Sequence, residues 1–514
     1  MAIYFEQTNR LIIPRWRKFN PKCITAEHKL LTPEIDIKSE PASLLSFNKK
    51  EKDWHVHGSV GHAWELVHSA YINQEFSKAK NAAAFLKDNL SQISPALRKV
   101  INEILGEDIS EPNSVAPDII PINKLTEITR REIKSTKRKI SYYLRNEFQW
   151  LELSRLYSII GELEKAKQCI NIAIYFSNNQ NRYFLRSASR FFYHIGNFEQ
   201  AQSIIRRSPH LKSDPWLLST DISYSNKMER HAVNAKRGRE IVDSKNFSNE
   251  SITELAGVLG TMELKNDSVK NARKLTKQSL LAPNDNSLAQ AEWIAHEISE
   301  ISIEPWLNKM ELGFEARTLE FLHNRNYAKC LHESLLWVMD QPFSKRACHF
   351  VSYLCTGLTE NYETAIEVGE LGAKTNWDYF PIINNLTFAH ISAGNLTRAK
   401  ELLEHMTTMS MSSREQCFAL ATVGYYYYRS KEYVAGRESY QKAIDLAAKN
   451  NYDDLKKLAT ANLLREGYLA GESQYVIVMA ALEKISKDGE DLNLEEQIKH
   501  IITSVKKEHE VKNV

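Results

Sequence analysis

Apolar and small residues in the 150–173 stretch fall three or four apart: Trp150, Leu153, Ser154 and Tyr157, then, beyond Gly161, Leu163, Ala166, Ile170 and Ala173. That spacing marks one face of an α-helix on each side of a glycine turn, and it predicts an antiparallel helix pair. The register returns over 185–205 as Leu185, Ala188, Ser189, Phe192, Gly196, Phe198, Ala201 and Ile205. It returns over 383–406 with Ile383, Leu386, Gly394, Leu396, Ala399, Leu403 and Met406, and over 420–443 with Leu420, Gly424, Tyr427, Tyr433, Gly436, Tyr440 and Ala443. Looser copies keep Leu66, Ala70, Phe76, Ala79 and Leu86 near the start, Leu259, Gly260 and Ala272 in the middle, then Phe314, Phe321 and Tyr327, and Tyr362, Ala365, Gly369 and Gly372.

The offsets, with a small residue where the helices cross and larger ones on either side, resemble the tetratricopeptide repeat (TPR), whose unit is about 34 residues. The resemblance implies an all-α fold, a right-handed superhelical solenoid of about nine to eleven TPR-like helix pairs with a non-repeat N-terminal arm. A solenoid buries each unit against its neighbours only, so 514 residues need no single oversized core.

Two regions break the register. Residues 1–60 hold four of the 14 prolines and no helical period, and are expected to be an irregular cap or arm, with room for a short strand between Ala2 and Trp16. Residues 61–106 read as a leading helical segment with one TPR-like unit, and the proline-containing 107–121 as a linker. The main solenoid is then expected over 122–473 and capping helices over 474–514.

Charge narrows the choice of partner. The chain carries a net +3, yet 124–145 holds eight Lys or Arg against two Glu. Arg130, Arg131, Lys134, Lys137, Arg138 and Lys139 form a basic patch suited to phosphates or an acidic surface. The resemblance further implies that the first helix of each pair lines a concave groove. In the units starting near 147 and 182 this places Arg155, Tyr183, Arg186, Arg190, Tyr193 and His194 on the inner face. Guanidinium groups among aromatics suit carboxylates or phosphates. The same positions further on read Asn384, Phe388, Tyr425, Tyr428 and Arg429, an aromatic wall of the kind that anchors peptide side chains. The asparagines that accompany the carboxylate clamp of chaperone-binding relatives are missing around Arg186 and Arg190, so the resemblance does not extend to that activity.

Chemistry is sparse. There is no GxxxxGK[ST], GxGxxG, HExxH or GxSxG, the six cysteines form no CxxC, and His55, His57 and His62 are the only local histidine group. No catalytic, cofactor or metal residue is assigned, and the chain is read as a non-enzyme. No apolar run reaches the length of a membrane span and the N-terminus lacks a signal-peptide core, so a cytoplasmic location is the default expectation and no membrane partner is expected. The favoured function is an interaction scaffold or regulatory subunit holding a protein or peptide segment in its groove. The alternatives are a nucleic-acid-binding repeat protein that uses the 124–145 helix, and a ligand- or peptide-sensing regulator of a separately encoded effector enzyme.

Overall fold

The computed structural model describes residues 3, 10–18, 44–73, 75–89, 95–106, 121–177, 179, 181–244, 246–298, 300–487 and 492–512. Among them every regular element is helical. A leading group comprises α1 (Leu44–His57), α2 (Val60–Asn73), α3 (Phe76–Asn89) and α4 (Pro95–Leu105), closed around Phe47, Leu66, Ala83, Leu86 and Ile101. Helix α1 corrects the expectation that 1–60 is irregular throughout. Among its described side chains Phe47 and Trp54, two turns apart, anchor it, with Trp54 against Phe85 at 5.0 Å. The lysine-rich remainder faces water and leaves no legible period. Of the expected 107–121 linker only Pro121 lies within the described residues.

After α5 (Ile122–Tyr142) come ten successive pairs: α6 (Glu147–Ile159) with α7 (Leu163–Phe176), α8 (Arg182–His194) with α9 (Phe198–Arg206), α10 (Pro215–Lys227) with α11 (Ala235–Ser244), α12 (Asn249–Lys265) with α13 (Val269–Ser279), and α14 (Asp285–Glu297) with the one-turn α15 (Glu304–Leu307). Then follow α16 (Phe314–His323) with α17 (Tyr327–Asp340), α18 (Lys345–Tyr353, prolonged by a π-turn over Leu354–Leu358) with α19 (Tyr362–Thr375), α20 (Phe380–Ser392) with α21 (Leu396–Met406), α22 (Ser413–Arg429) with α23 (Tyr433–Lys449), and α24 (Asp453–Leu469) with α25 (Tyr475–Lys487). The last helix, α26 (Leu492–Lys512), buries Leu494, Ile498, Ile501 and Val505. The architecture is a TPR-like solenoid.

The repeat is written most plainly in the turns. Between the two helices of a pair one residue adopts a left-handed backbone: Gly161, Gly196, Glu229, Asp267, Arg325, Glu360, Gly394, Lys431 and Gly471. In most of these turns the next amide reaches five residues back, as in Asn197 N to Phe192 O, Arg230 N to Ser225 O, Asn326 N to Phe321 O and Glu432 N to Tyr427 O. This closes the first helix, and in the better-formed units the same residue opens the second. Asn197 and Asn326 accept from the amides of Gln200 and Lys329. The helices then cross where side chains are small. A Cβ on Gly424 would stand 2.7 Å from the Tyr440 ring and 3.0 Å from the Gly436 carbonyl, so both glycines are demanded by contact.

Nearly every residue of α8, α10 and α20 is buried, whereas their partners α9, α11 and α21 bury one stripe. The first helices are covered on both sides because the superhelix curls back on itself. Asn123 Nδ2 donates to Glu367 Oε1 at 2.9 Å, and the turn at Gly161 abuts the Lys374 carbonyl so closely that a Cβ there would come within 2.1 Å of its oxygen.

Lys431 is exposed at a left-handed position that favours glycine. Lys431→Gly is expected to raise stability by roughly 0.5–1 kcal/mol, the relief of left-handed strain net of glycine's extra unfolded-state entropy, read as a higher midpoint of thermal unfolding. Gly196→Ala, at a left-handed position with open space around the Cβ, is expected to cost a similar amount; equal midpoints would refute this account of the turns.

Candidate functional site

The inside of the curl is occupied by the chain's own N-terminal arm. Residues 10–18 (RLIIPRWRK) run extended, without helix or strand. The short strand expected between Ala2 and Trp16 is absent from the described part because its backbone groups bond to side chains instead of a second strand. Gln290 Nε2 donates to Arg10 O at 3.1 Å, Asn286 Nδ2 to Ile13 O at 3.0 Å, and Tyr183 Oη to Arg17 O at 2.9 Å. Nearer the terminus, Asn385 brackets Ile3, accepting from its amide at 2.7 Å and donating to its carbonyl at 3.1 Å. Side-chain amides that read backbone N–H and C=O hold an extended chain whatever its side chains.

Two side chains of the 10–18 stretch enter the core, as Ile3 does nearer the terminus. Trp16 is 1% exposed and meets Phe191 and Phe343 edge-on at 6.3 and 5.6 Å. Ile12 fills the space left by Gly257, whose Cβ would lie 2.9 Å from it. Burying two such side chains contributes about 1.5–3 kcal/mol each.

The arm's cations meet carboxylates from three helices. Arg10 donates to both oxygens of Glu315 at 3.0 Å, to Gln290 Oε1 at 2.7 Å and to Asn286 Oδ1 at 3.1 Å. Arg15 bonds Glu315 and Gln341 and lies 3.3 Å from Asp285. Arg17 spans Asp285 at 2.6 Å and Asp340 at 2.7 Å, and Arg346 adds a bond to Glu315 at 2.8 Å. Burial opposes ionisation of Glu315, but Arg10, Arg15 and Arg346 outweigh it and hold its pKa well below the usual carboxylate range. Asp285 behaves likewise, burial being overcome by Arg17 and Arg15.

Beside the arm lies a cavity of about 850 Å³. Ile13, Pro14 and Arg15 form one wall; Arg190, Tyr193, His194, Lys345 and Tyr379 face them. Arg190 rests on the rings of Phe343 and Tyr193, 5.3 and 5.7 Å from their centroids. Burial, then the neighbouring Arg190 and Lys345, push the His194 pKa well below its ordinary value.

The residues expected in an open groove divide. Arg190, Tyr193 and His194 line this cavity together. Tyr183 holds the arm. Arg186 is a correction: it is 1% exposed, bonded to Glu254 Oε2 at 2.7 Å and laid over Trp216 at 4.9 Å, so it is a buried structural pair. Arg155 is bound to Glu152 on its own helix. The aromatic wall expected further on is also corrected, since it is inter-repeat core. Asn384 accepts from Thr422, Phe388 stacks on Tyr425 at 4.9 Å, Tyr428 packs on Gly436 and donates to Glu472, and Arg429 pairs with Glu466. On α5, Arg130, Arg131, Lys134, Lys137, Arg138 and Lys139 are exposed while Ile133, Thr136 and Ile140 dock the helix on the opposite face.

Sequence reasoning missed the acidic half of the site. Asp285, Glu315 and Asp340 come from separate units, and only the arm's Arg10, Arg15, Trp16 and Arg17, charged and aromatic in a stretch without period, gave a local signal. It missed a second cluster too. Glu292 Oε1 lies 3.0 Å from His296 Nε2 and 3.4 Å from His323 Nδ1, bridging α14 and α16. The local group His55, His57 and His62 amounts to an exposed stack of His57 on His62 at 4.8 Å. Cys169, Cys330, Cys348, Cys355 and Cys417 are buried free thiols, burial raising Cys348 and Cys355 to about 12; Cys23 lies outside the described residues.

No protein-family model matches the chain, and neither does any curated protein. Among solved structures it is similar to yeast Tom70 (10% identity, TM-score 0.31, covering 88% of this chain and 96% of that one), to Cut9 in the APC/C hetero-tetramer Cut9–Hcn1 (10%, 0.37, 89% and 92%) and to the human IFIT1 dimer with PPP-AAAA (13%, 0.31, 87% and 94%).

Glu315→Gln removes the charge that Arg10, Arg15 and Arg346 share, at an expected cost of roughly 3 kcal/mol. Trypsin should then cut the native protein after Arg10, Arg15 or Arg17, sites protected in the parent. Because the Glu315 and Asp285 pKa values are depressed in the folded state, their stabilisation is complete above the ordinary carboxylate pKa of about 4 and is lost only as pH falls through the lower folded values. The parent arm should therefore stay protected at pH 5.

Proposed function

We propose that this chain is a non-catalytic binding scaffold whose inner groove takes an extended peptide or protein segment, and that its own arm holds the groove until such a partner displaces it. One observation carries the reading: residues 10–18 lie in the curl as a bound peptide would, their backbone read by Gln290, Asn286 and Tyr183 and their side chains by acidic and aromatic pockets. The three carboxylates favour a segment with basic residues around an aromatic one. This reverses the sign of partner that the groove arginines suggested. The arm prepays the desolvation of Glu315 and Asp285, so a competitor gains only by matching or exceeding its contacts. No helix among the described residues is long and apolar enough to cross a membrane, and cytoplasmic residence is part of the proposal.

A second reading rests on the exposed cations of α5. It makes that face a nucleic-acid contact, outside the groove and independent of the arm.

A protease site inserted between residues 18 and 44 of the full chain lets the arm be cut free after folding. A fluorescent peptide spanning residues 1–18 should then exchange into the cleaved protein and bind saturably, with at least tenfold weaker binding in Glu315→Gln. Complete release of the arm with no binding of the labelled peptide would reject the peptide-receptor reading. Salt-sensitive binding of a labelled RNA, abolished by Lys134→Gln with Arg138→Gln, would favour the α5 reading instead.

A further inference from the structure

We propose that the cavity beside the arm is a receptor for a small ligand carrying an oxyanion, phosphate or carboxylate, received by Arg190 and Lys345 with His194 beside them. These residues come from two units distant in sequence, α8 and α18, brought face to face by the curl. Arg190 is 9% exposed and makes no hydrogen bond or ion pair among the described residues. Its guanidinium is held by ring faces, which support its plane and leave its N–H edge for an acceptor. Lys345 lies 5.5 Å from the Tyr379 ring centroid, again without a carboxylate bonded to it. His194 donates to the Thr375 backbone carbonyl through one nitrogen, while Nε2 is buried without a partner; in the neutral ring Nε2 accepts, so it would take an O–H of the ligand and not the oxyanion.

Burying cations is costly: burial lowers Arg190, and Arg15 lowers it further, while for Lys345 burial, Arg190 and Lys227 together outweigh the opposing charge of Asp378. Three carboxylates line the cavity, Glu229, Glu315 and Glu415, none bonded to Arg190 or Lys345 among the described residues. Glu315 is shared by Arg10, Arg15 and Arg346, and Glu415 is bonded to Ser412 in a helix cap. An oxyanion would supply the missing charge and acceptors together. The volume, about 850 Å³, exceeds what a bare phosphate needs, and Tyr193, Phe198 and Phe418 line the remainder. The ligand class is therefore an anion with an apolar or aromatic body. Such a ligand would rest against Ile13 and Pro14 of the arm.

The test uses the full chain and two probes, phenyl phosphate and phenylacetate, followed by calorimetry at low salt. One-to-one binding of phenyl phosphate alone identifies a phosphate ligand; binding of phenylacetate identifies a carboxylate. Either should weaken at least tenfold in Arg190→Gln, recover partly in Arg190→Lys, and weaken in Lys345→Gln, whose partly exposed side chain makes that variant safe for folding. Absence of binding by both probes, or binding indifferent to Lys345→Gln and to a folded Arg190→Gln, overturns the proposal. Neither result depends on exchange of the 1–18 peptide, so the two readings fail separately.

A different observation assigns a divalent-metal site to Glu292, His296 and His323. Their ligand atoms lie within 4.8 Å of one another. Glu292 is 1% exposed and its Oε2 has no partner, a buried orphan acceptor. The imidazole rings stand 3.7 Å apart at the rim, where both are open to solvent. Two imidazoles and a carboxylate with an open fourth position suit Zn²⁺ or Co²⁺. After treatment with chelator, the full chain should take up one Co²⁺ with the intense visible absorption of a tetrahedral site, and Zn²⁺ should displace it. His296→Ala and His323→Ala should each weaken uptake about a hundredfold. No saturable uptake, or uptake unchanged in both variants, overturns the assignment.

Discussion

Glu315 is the residue on which the interior of this molecule turns. It sits almost without solvent among Arg10 and Arg15 of the arm and Arg346 of the next unit, and each of those cations would be untenable there alone. An isolated carboxylate at that depth would take up a proton, and isolated guanidinium groups would drag water in with them. Together they make the curl possible. The first helices of successive pairs turn polar residues inward, and a solenoid curling this tightly needs something charged and extended along its axis to satisfy them.

The arm answers that need with a division of labour common to peptide recognition. Amides of Asn286, Gln290 and Asn385 address the backbone and set the register; Glu315, Asp285 and Asp340 select for basic side chains; Gly257 and the Phe191–Phe343 cleft admit Ile12 and Trp16. Backbone contacts supply affinity with little selectivity, and pockets supply the reverse. In this structure the arm fills the curl, and the cationic cavity lies alongside it.

Much of the fold was legible in the residues because steric rules leave local marks. Gly161, Gly196 and Gly394 announce turns, and Gly424 with Gly436 announces a close crossing. The register was fainter where the same geometry is met by other means. Glu229, Asp267, Arg325 and Glu360 take the left-handed turn without glycine, so the unit of α10 and α11 went unseen and three others looked weak, whereas the unit that turns at Lys431 stayed legible through Gly424 and Gly436. The site was less legible, for a different reason. Arg190, Tyr193 and His194 share one helix and could be read off it, whereas Arg186 finds Glu254, and Arg10 finds Glu315, only through the superhelix. Burial likewise depends on what lies across the groove, which is why Tyr425 and Tyr428 read as a binding wall and are core. No local pattern encodes a partner three hundred residues away.

The contact between the Gly161 turn and the Lys374 carbonyl changes what kind of spring this solenoid is. A free superhelix stretches by sharing a small strain among all its units, and its pitch adapts smoothly to whatever it grips. Here the coil is latched from one pair to another six pairs further on, so the enclosed span behaves as a hoop. A hoop does not lengthen; it stays shut or parts at the latch. The units beyond α19 are tied back to it as well, since Arg325 in the turn between α16 and α17 pairs with Glu496 of α26 at 3.0 Å, so adjustment to a ligand is directed into abrupt opening at these contacts.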